Sequence, residues 1–162
     1  MIRSFAIAAG VFLFAACSPQ QSAEGAPAAA AAETAVHPVS GLAVVPLTVS
    51  DGKKVHRFRV EVAATPLDQA KGLMFRTEMG PNEGMIFPRD GYSQASFWMK
   101  NTPLPLDIIF IGTDGRISNI AANTVPYSLE SVTSDGLASA VLELNAGRAA
   151  ELGIVPGNKV EW

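Results

Sequence analysis

The stretch Phe97-Trp98-Met99-Lys100-Asn101-Thr102 sets an aromatic ring, an ammonium and an amide within a few residues of one another. If Ser96 to Lys100 is extended, Phe97 and Met99 share one face and Trp98 and Lys100 the other. A ring beside an ammonium and an amide suits a sugar: the ring covers the apolar face, and Lys100 and Asn101 bond the hydroxyls. The same residues also suit a structural role, in which Trp98 plugs the edge of the core, Asn101 fixes a turn and Lys100 is solvated.

Two carboxylates add a second chemistry. Asp107 interrupts the apolar run Leu106 to Ile111, and Glu143 interrupts Val141-Leu142-Glu143-Leu144. A carboxylate in such a strand must be paired, hydrogen-bonded or placed at a cavity mouth. Facing one cleft, the two could act as general acid and base; alternatively, each braces a loop or an ion pair. Arg76 and Lys100 are the candidate cations. The expectation is one shared depression formed by Trp98, Lys100, Asn101, Asp107 and Glu143, with Arg76 close enough to pair with an acid.

Other chemistries find little support. Met74, Met79, Met85 and Met99 offer thioethers that suit cuprous copper, yet their spacing reads better as core packing. The chain has no H-E-x-x-H, G-x-S-x-G or phosphate-loop motif, so no cofactor or metal is implied. His56 is turned inward by the alternation around it. A formal net charge of -3, with no run of Lys or Arg, excludes the basic footprint of a nucleic-acid binder.

These residues need strands to hold them. The 14 Gly and 11 Pro favour many turns. Residues 42–49 read as a strand, Asp51-Gly52 as a hairpin turn, and Val55 to Val62 as an alternating strand with His56, Phe58, Val60 and Val62 inward. Thr65, Pro66 and Asp68 have the pattern of a capped helix start. Residues 84–87 and 96–99 read as short apolar runs with turn residues between them, and 106–111, 116–122, 138–144 and 159–162 as further strands. A second short helix, capped by Asn145, runs through Leu152 and is ended by Gly153. The expected fold is mainly β: a compact antiparallel sandwich or barrel of about seven strands with two short helices.

The N-terminus reads as an address. Arg3 precedes an apolar run, Phe5 to Phe14, that is too short to span a bilayer, and residues 1–16 read as a signal peptide. Phe14-Ala15-Ala16-Cys17 resembles a lipobox, which makes Cys17, the chain's single cysteine, the expected lipidation site. Ser18 follows it with no aspartate, a pattern that by resemblance to enterobacterial sorting favours the outer membrane. Residues 17–40, built of Ala, Pro, Gln, Ser, Glu and Gly, read as a flexible tether to a single domain at 41–162. His37, lying in that tether, is set aside as a site residue.

From residue 72 onward the chain carries Gly72-Leu73-Met74-Phe75-Arg76, Gly84-Met85-Ile86-Phe87, Phe97-Trp98-Met99-Lys100-Asn101-Thr102, Leu106-Asp107-Ile108-Ile109-Phe110-Ile111 and Val141-Leu142-Glu143-Leu144-Asn145-Ala146-Gly147, in that order. Together they resemble the family called domain of unknown function 192, over nearly all of Val45 to Trp162. Asn158 stands where that family often has Asp. The resemblance implies a mainly antiparallel β sandwich or barrel with short helices and no established activity. The combined expectation is an exported, non-catalytic cell-envelope lipoprotein. Its partners would be the membrane, through the lipid anchor, and a small polar ligand, glycan or protein, with no nucleic acid. The alternative is an envelope hydrolase or lyase using Asp107 and Glu143.

Overall fold

Two apolar segments joined by Asp51-Gly52 pair as the first hairpin. They are β2 (Ala43–Ser50) and β3 (Val55–Val62), in register from Val44 opposite Glu61 to Ser50 opposite Val55. The computed structural model describes residues 35–162. Within them, β1 (Ala35–Val36) precedes the hairpin. After it come α1 (Pro66–Lys71), β4 (Glu83–Pro88), β5 (Gln94–Phe97), β6 (Leu106–Gly112), β7 (Ile117–Ala121), β8 (Val132–Asn145), α2 (Arg148–Leu152) and β9 (Lys159–Glu161). The fold is mainly β, with two short helices.

The sheet runs β1-β2-β3-β4-β8-β6-β7, with β5 against the first half of β8 and β9 against β2. β9 also meets the start of β7: Arg116 bridges Lys159, and the Ile117 N–H donates to the Asn158 carbonyl at 2.9 Å. These contacts curl the sheet into a barrel. The strand pairs are antiparallel except β3 with β4, so the sheet is mixed. A parallel pair needs a crossover, and α1 lies in it. Its capping box is formed as the sequence predicts, with the Thr65 side chain accepting from the Asp68 N–H and the Asp68 carboxylate accepting from the Thr65 N–H.

Core packs on both faces of the central strands. Inside the barrel lie Leu47, Phe58, Val60, Ile86, Ile109, Leu142, Leu144 and Val160. On the outer face, Leu73, Met85, Phe87, Met99, Leu106, Ile108, Phe110 and Val141 form a second cluster under α1 and β5. This double coverage is why 106–111 is nearly all apolar. It also absorbs Met85 and Met99 as packing. At the closest approach of β4 and β8, a Cβ on Gly84 would stand 2.5 Å from the Glu143 carbonyl, so only glycine fits.

Two expectations need correction. Asn145 does not cap the second helix: its Nδ2 donates to the Met79 and Gly80 carbonyls (2.9 and 3.1 Å), and Gly147 takes the N-cap position. The domain also begins before residue 41. Ala35 pairs with Val44 and Val36 with Ala43, while Gly41, at φ 74, lets the chain turn between them. Ser40 Oγ donates to the Glu61 carboxylate, which is 3% exposed, and His37 lies beside the same group. Composition alone suggested a tether here, but edge pairing and a buried acid hold the segment down. A protein beginning at Gly41 is expected to stay folded while losing about 2 kcal/mol, the worth of a hydrogen bond to a charged group plus a short strand pair. Urea denaturation measures this, and an unchanged midpoint would show that residues 35–40 contribute nothing.

Candidate functional site

The register of β6 on β8 decides which residues can meet. Ile108 pairs with Glu143, and Asp107 with Leu144. Paired residues share a face and neighbours alternate, so Asp107 and Glu143 are on opposite faces of the sheet. The expected single depression holding both carboxylates is not what the fold builds.

Asp107 is fully buried and wholly committed to backbone. Its Oδ1 accepts from the N–H groups of Asn123 (2.9 Å) and Gly147 (3.0 Å), and its Oδ2 from that of Ala149 (2.9 Å). It thus braces the loop after β7 and supplies α2 with the cap that Gly147 lacks. Arg76 is also elsewhere. It forms a two-pronged ion pair with Glu61 (Nη1–Oε1 2.8 Å, Nη2–Oε2 2.9 Å), with His37 Nε2 3.4 Å from its Nη1. Glu61 is the acid on Glu143's own face. Met85 lies between them in register, which sets their backbones two strand spacings, roughly 10 Å, apart. Arg76, Ser40 and His37 occupy Glu61, so it is not free for chemistry.

Glu143 is different. It is 5% exposed, and among the described residues no side chain or backbone N–H bonds its carboxylate. Burial pushes its carboxyl from 4.5 up to about 8, so it holds its proton at neutral pH. It forms the floor of a cleft of about 320 Å³. One wall is α1 and the turn after it, with Gln69, Lys71 and Met74. The other is the end of β5 and the turn beyond, with Trp98, Lys100 and Thr102, and Arg89 closes the end past β4. Trp98 is 47% exposed, and Lys100 Nζ lies 5.1 Å from its ring centre, a cation–π contact. The strand ends at Phe97, yet the expected division persists: Met99 is buried, while Trp98 and Lys100 are exposed.

Asn101 does not line the cleft; it fixes the wall. At φ 55 it takes the left-handed conformation that Asn tolerates. Its carbonyl accepts from the Phe75 N–H at 2.8 Å, and its Nδ2 points to Met74 Sδ at 3.8 Å. The two walls are stitched together there.

The cleft therefore unites Trp98, Lys100 and Glu143, has Asn101 as a positioning residue, and excludes Arg76 and Asp107. Sequence reasoning missed Lys71, Arg89, Gln69 and Thr102. Lys71 and Arg89 stand at or just past the ends of their elements, where no periodicity marks a direction. The pairing of β4 with β8 brings Arg89 to the cleft that Glu143 lines, and α1, in the crossover before β4, brings Lys71. Among the described residues no group of three His, Cys, Asp or Glu could hold a metal ion.

Comparison with known proteins agrees with this architecture. The structure resembles that of a protein of unknown function from Novosphingobium aromaticivorans DSM 12444, with 59% identity, 82% of this chain and 94% of that chain covered, and a TM-score of 0.78. It also resembles a candidate transcription regulator from Sinorhizobium meliloti 1021, with 39% identity, coverage of 74% and 94%, and a TM-score of 0.71. No curated protein matches the chain. The family model for DUF192, described as an uncharacterised ACR, matches residues 47–162. The chain belongs to the family called domain of unknown function 192.

Proposed function

We propose that the domain is a non-catalytic binding module that takes a small polar ligand into the cleft over Glu143. The observation that carries this reading is the buried Glu143 carboxyl, without a partner among the described residues, in a cleft that a half-exposed indole also lines. A protonated carboxyl can both donate and accept a hydrogen bond. Trp98 can cover an apolar ring face and, with Lys100 beside it, present a mixed surface suited to a sugar. A reaction shared between Asp107 and Glu143 has no support in this geometry, since the sheet separates them.

Trp98→Ala is expected to cost less than about 1 kcal/mol, because the side chain is half exposed and its loss opens no core cavity. The same change should abolish the thermal shift produced by a bound monosaccharide. A loss of several kcal/mol would make Trp98 a core residue and remove the cleft reading.

The module works at the cell envelope in this proposal, exported by residues 1–16 and held through lipid on Cys17. Both lie outside the described residues, and the support is the Phe14 to Cys17 pattern with its single cysteine. Among the described residues no helix is long and apolar enough to cross a membrane. Cys17→Ser should move the protein from the detergent phase to the aqueous phase. An unmodified mass at the mature N-terminus of the unsubstituted protein would end the lipoprotein proposal.

A further inference from the structure

Resting on the ligand-binding reading of the cleft, we infer that its ligand is an anion of monosaccharide size, a sugar acid or sugar phosphate gripped by Lys71, Arg89 and Lys100 above Glu143. Three cations from three separate elements line this one cleft: Lys71 from α1, Arg89 from beyond β4, and Lys100 from the turn after β5. The ion pairs among the described residues join Glu61, Glu151 and Glu161 to other groups, so none of the three cations has an acid partner. The cleft is a positive concavity in a chain whose net charge is -3. Such focusing of one sign draws the opposite charge to the site.

Arg89 sharpens the case. Among the described residues its guanidinium meets no acid: Nη2 donates to Ser93 Oγ at 3.1 Å and Nη1 makes no hydrogen bond. A guanidinium with spare donors in a cleft is suited to a carboxylate or phosphate, which it can grip with two parallel bonds. Lys100 Nζ, 5.1 Å from the Trp98 ring centre, holds a positive charge at the indole, within reach of an acid group on a sugar bound beside it. Glu143 does not oppose this: burial keeps its proton on, so it adds no negative charge at neutral pH and offers an O–H to a ligand oxygen. A volume of about 320 Å³ is at the lower end of small-molecule sites, which suits one ring.

The chain has two tryptophans, Trp98 and Trp162, so Trp162→Phe leaves Trp98 as the sole indole reporter. Fluorescence of that protein is titrated with glucuronate, glucose 6-phosphate, glucose and glucosamine. The expected result is saturable binding of the two anions at least about tenfold tighter than glucose, weakened by raising salt. A Lys71→Met/Arg89→Gln double variant with unchanged circular dichroism and melting should lose that preference. If glucose binds as tightly as glucuronate, or the double variant keeps the preference, the anionic assignment falls while the ligand cleft stands. If none of the four sugars gives a saturable change, both the assignment and the cleft's role in binding are overturned.

Discussion

Asp107→Ala is expected to destabilise the domain by about 4 kcal/mol or more, a large part of the roughly 5–15 kcal/mol that holds a domain together. The carboxylate is wholly inaccessible and accepts from Asn123, Gly147 and Ala149 at 2.9–3.0 Å. Alanine leaves three backbone donors without a partner, each worth about 1–3 kcal/mol when buried. Two of them open α2, where a negative group is also favoured by the helix dipole. Asp107→Asn should fall between, since its single carbonyl oxygen can serve only one side of the arrangement and its amide meets an N–H on the other. Urea denaturation reads the total. Hydrogen exchange at Gly147 and Ala149 reads the locality, and both amides should lose protection before the barrel strands do. A loss under about 1 kcal/mol would mean that the loop satisfies its donors by another route.

Glu143→Gln should do the reverse and stabilise the protein. Burial lifts the folded-state carboxyl from 4.5 to about 8. Between those values the folded protein holds a proton that the unfolded chain has released, so stability declines as pH rises through that window and the loss is complete above about 8. At pH 7 the deficit is on the order of 3 kcal/mol. Glutamine cannot ionise in either state, so the variant should gain about that much at pH 7 and almost nothing near pH 4.5. For a domain of this size the melting temperature should rise by roughly 10 °C at neutral pH. A stability difference that does not change between pH 4.5 and 8 would show that Glu143 is paired or solvated. An acid that weakens the fold in this way is the trade expected under the proposed binding role.

The contrast between these acids shows what the sequence could reveal. Both Asp107 and Glu143 interrupt apolar strands, and composition gives them the same reading. Their fates differ because a shift of one residue reverses the face, and register between strands far apart in the chain is not written in either strand. Short-range features were legible: the hairpin at Asp51-Gly52, the Thr65 capping box, the double burial of residues 106–111, and the split between Met99 and its exposed neighbours Trp98 and Lys100. The Glu61–Arg76 pair was not. It depends on a parallel pairing and on residues 35–40 folding back, and a two-residue strand in an Ala- and Pro-rich stretch leaves no periodic trace.

β8 has a kinetic consequence. Its 14 residues pair with β4, β5 and β6, and β9 pairs with β2, whose residues stand more than 100 positions earlier in the chain. Before residue 132 an emerging chain can form the β1–β2–β3 pairings, α1, the parallel β3–β4 pair and the β6–β7 hairpin, but nothing that joins the two halves of the sheet. Loop closure over such spans is slow, so folding in milliseconds to seconds is expected rather than microseconds. A nascent chain of this design remains without its barrel until β9 has been made, and losing β9 removes the strand that closes it.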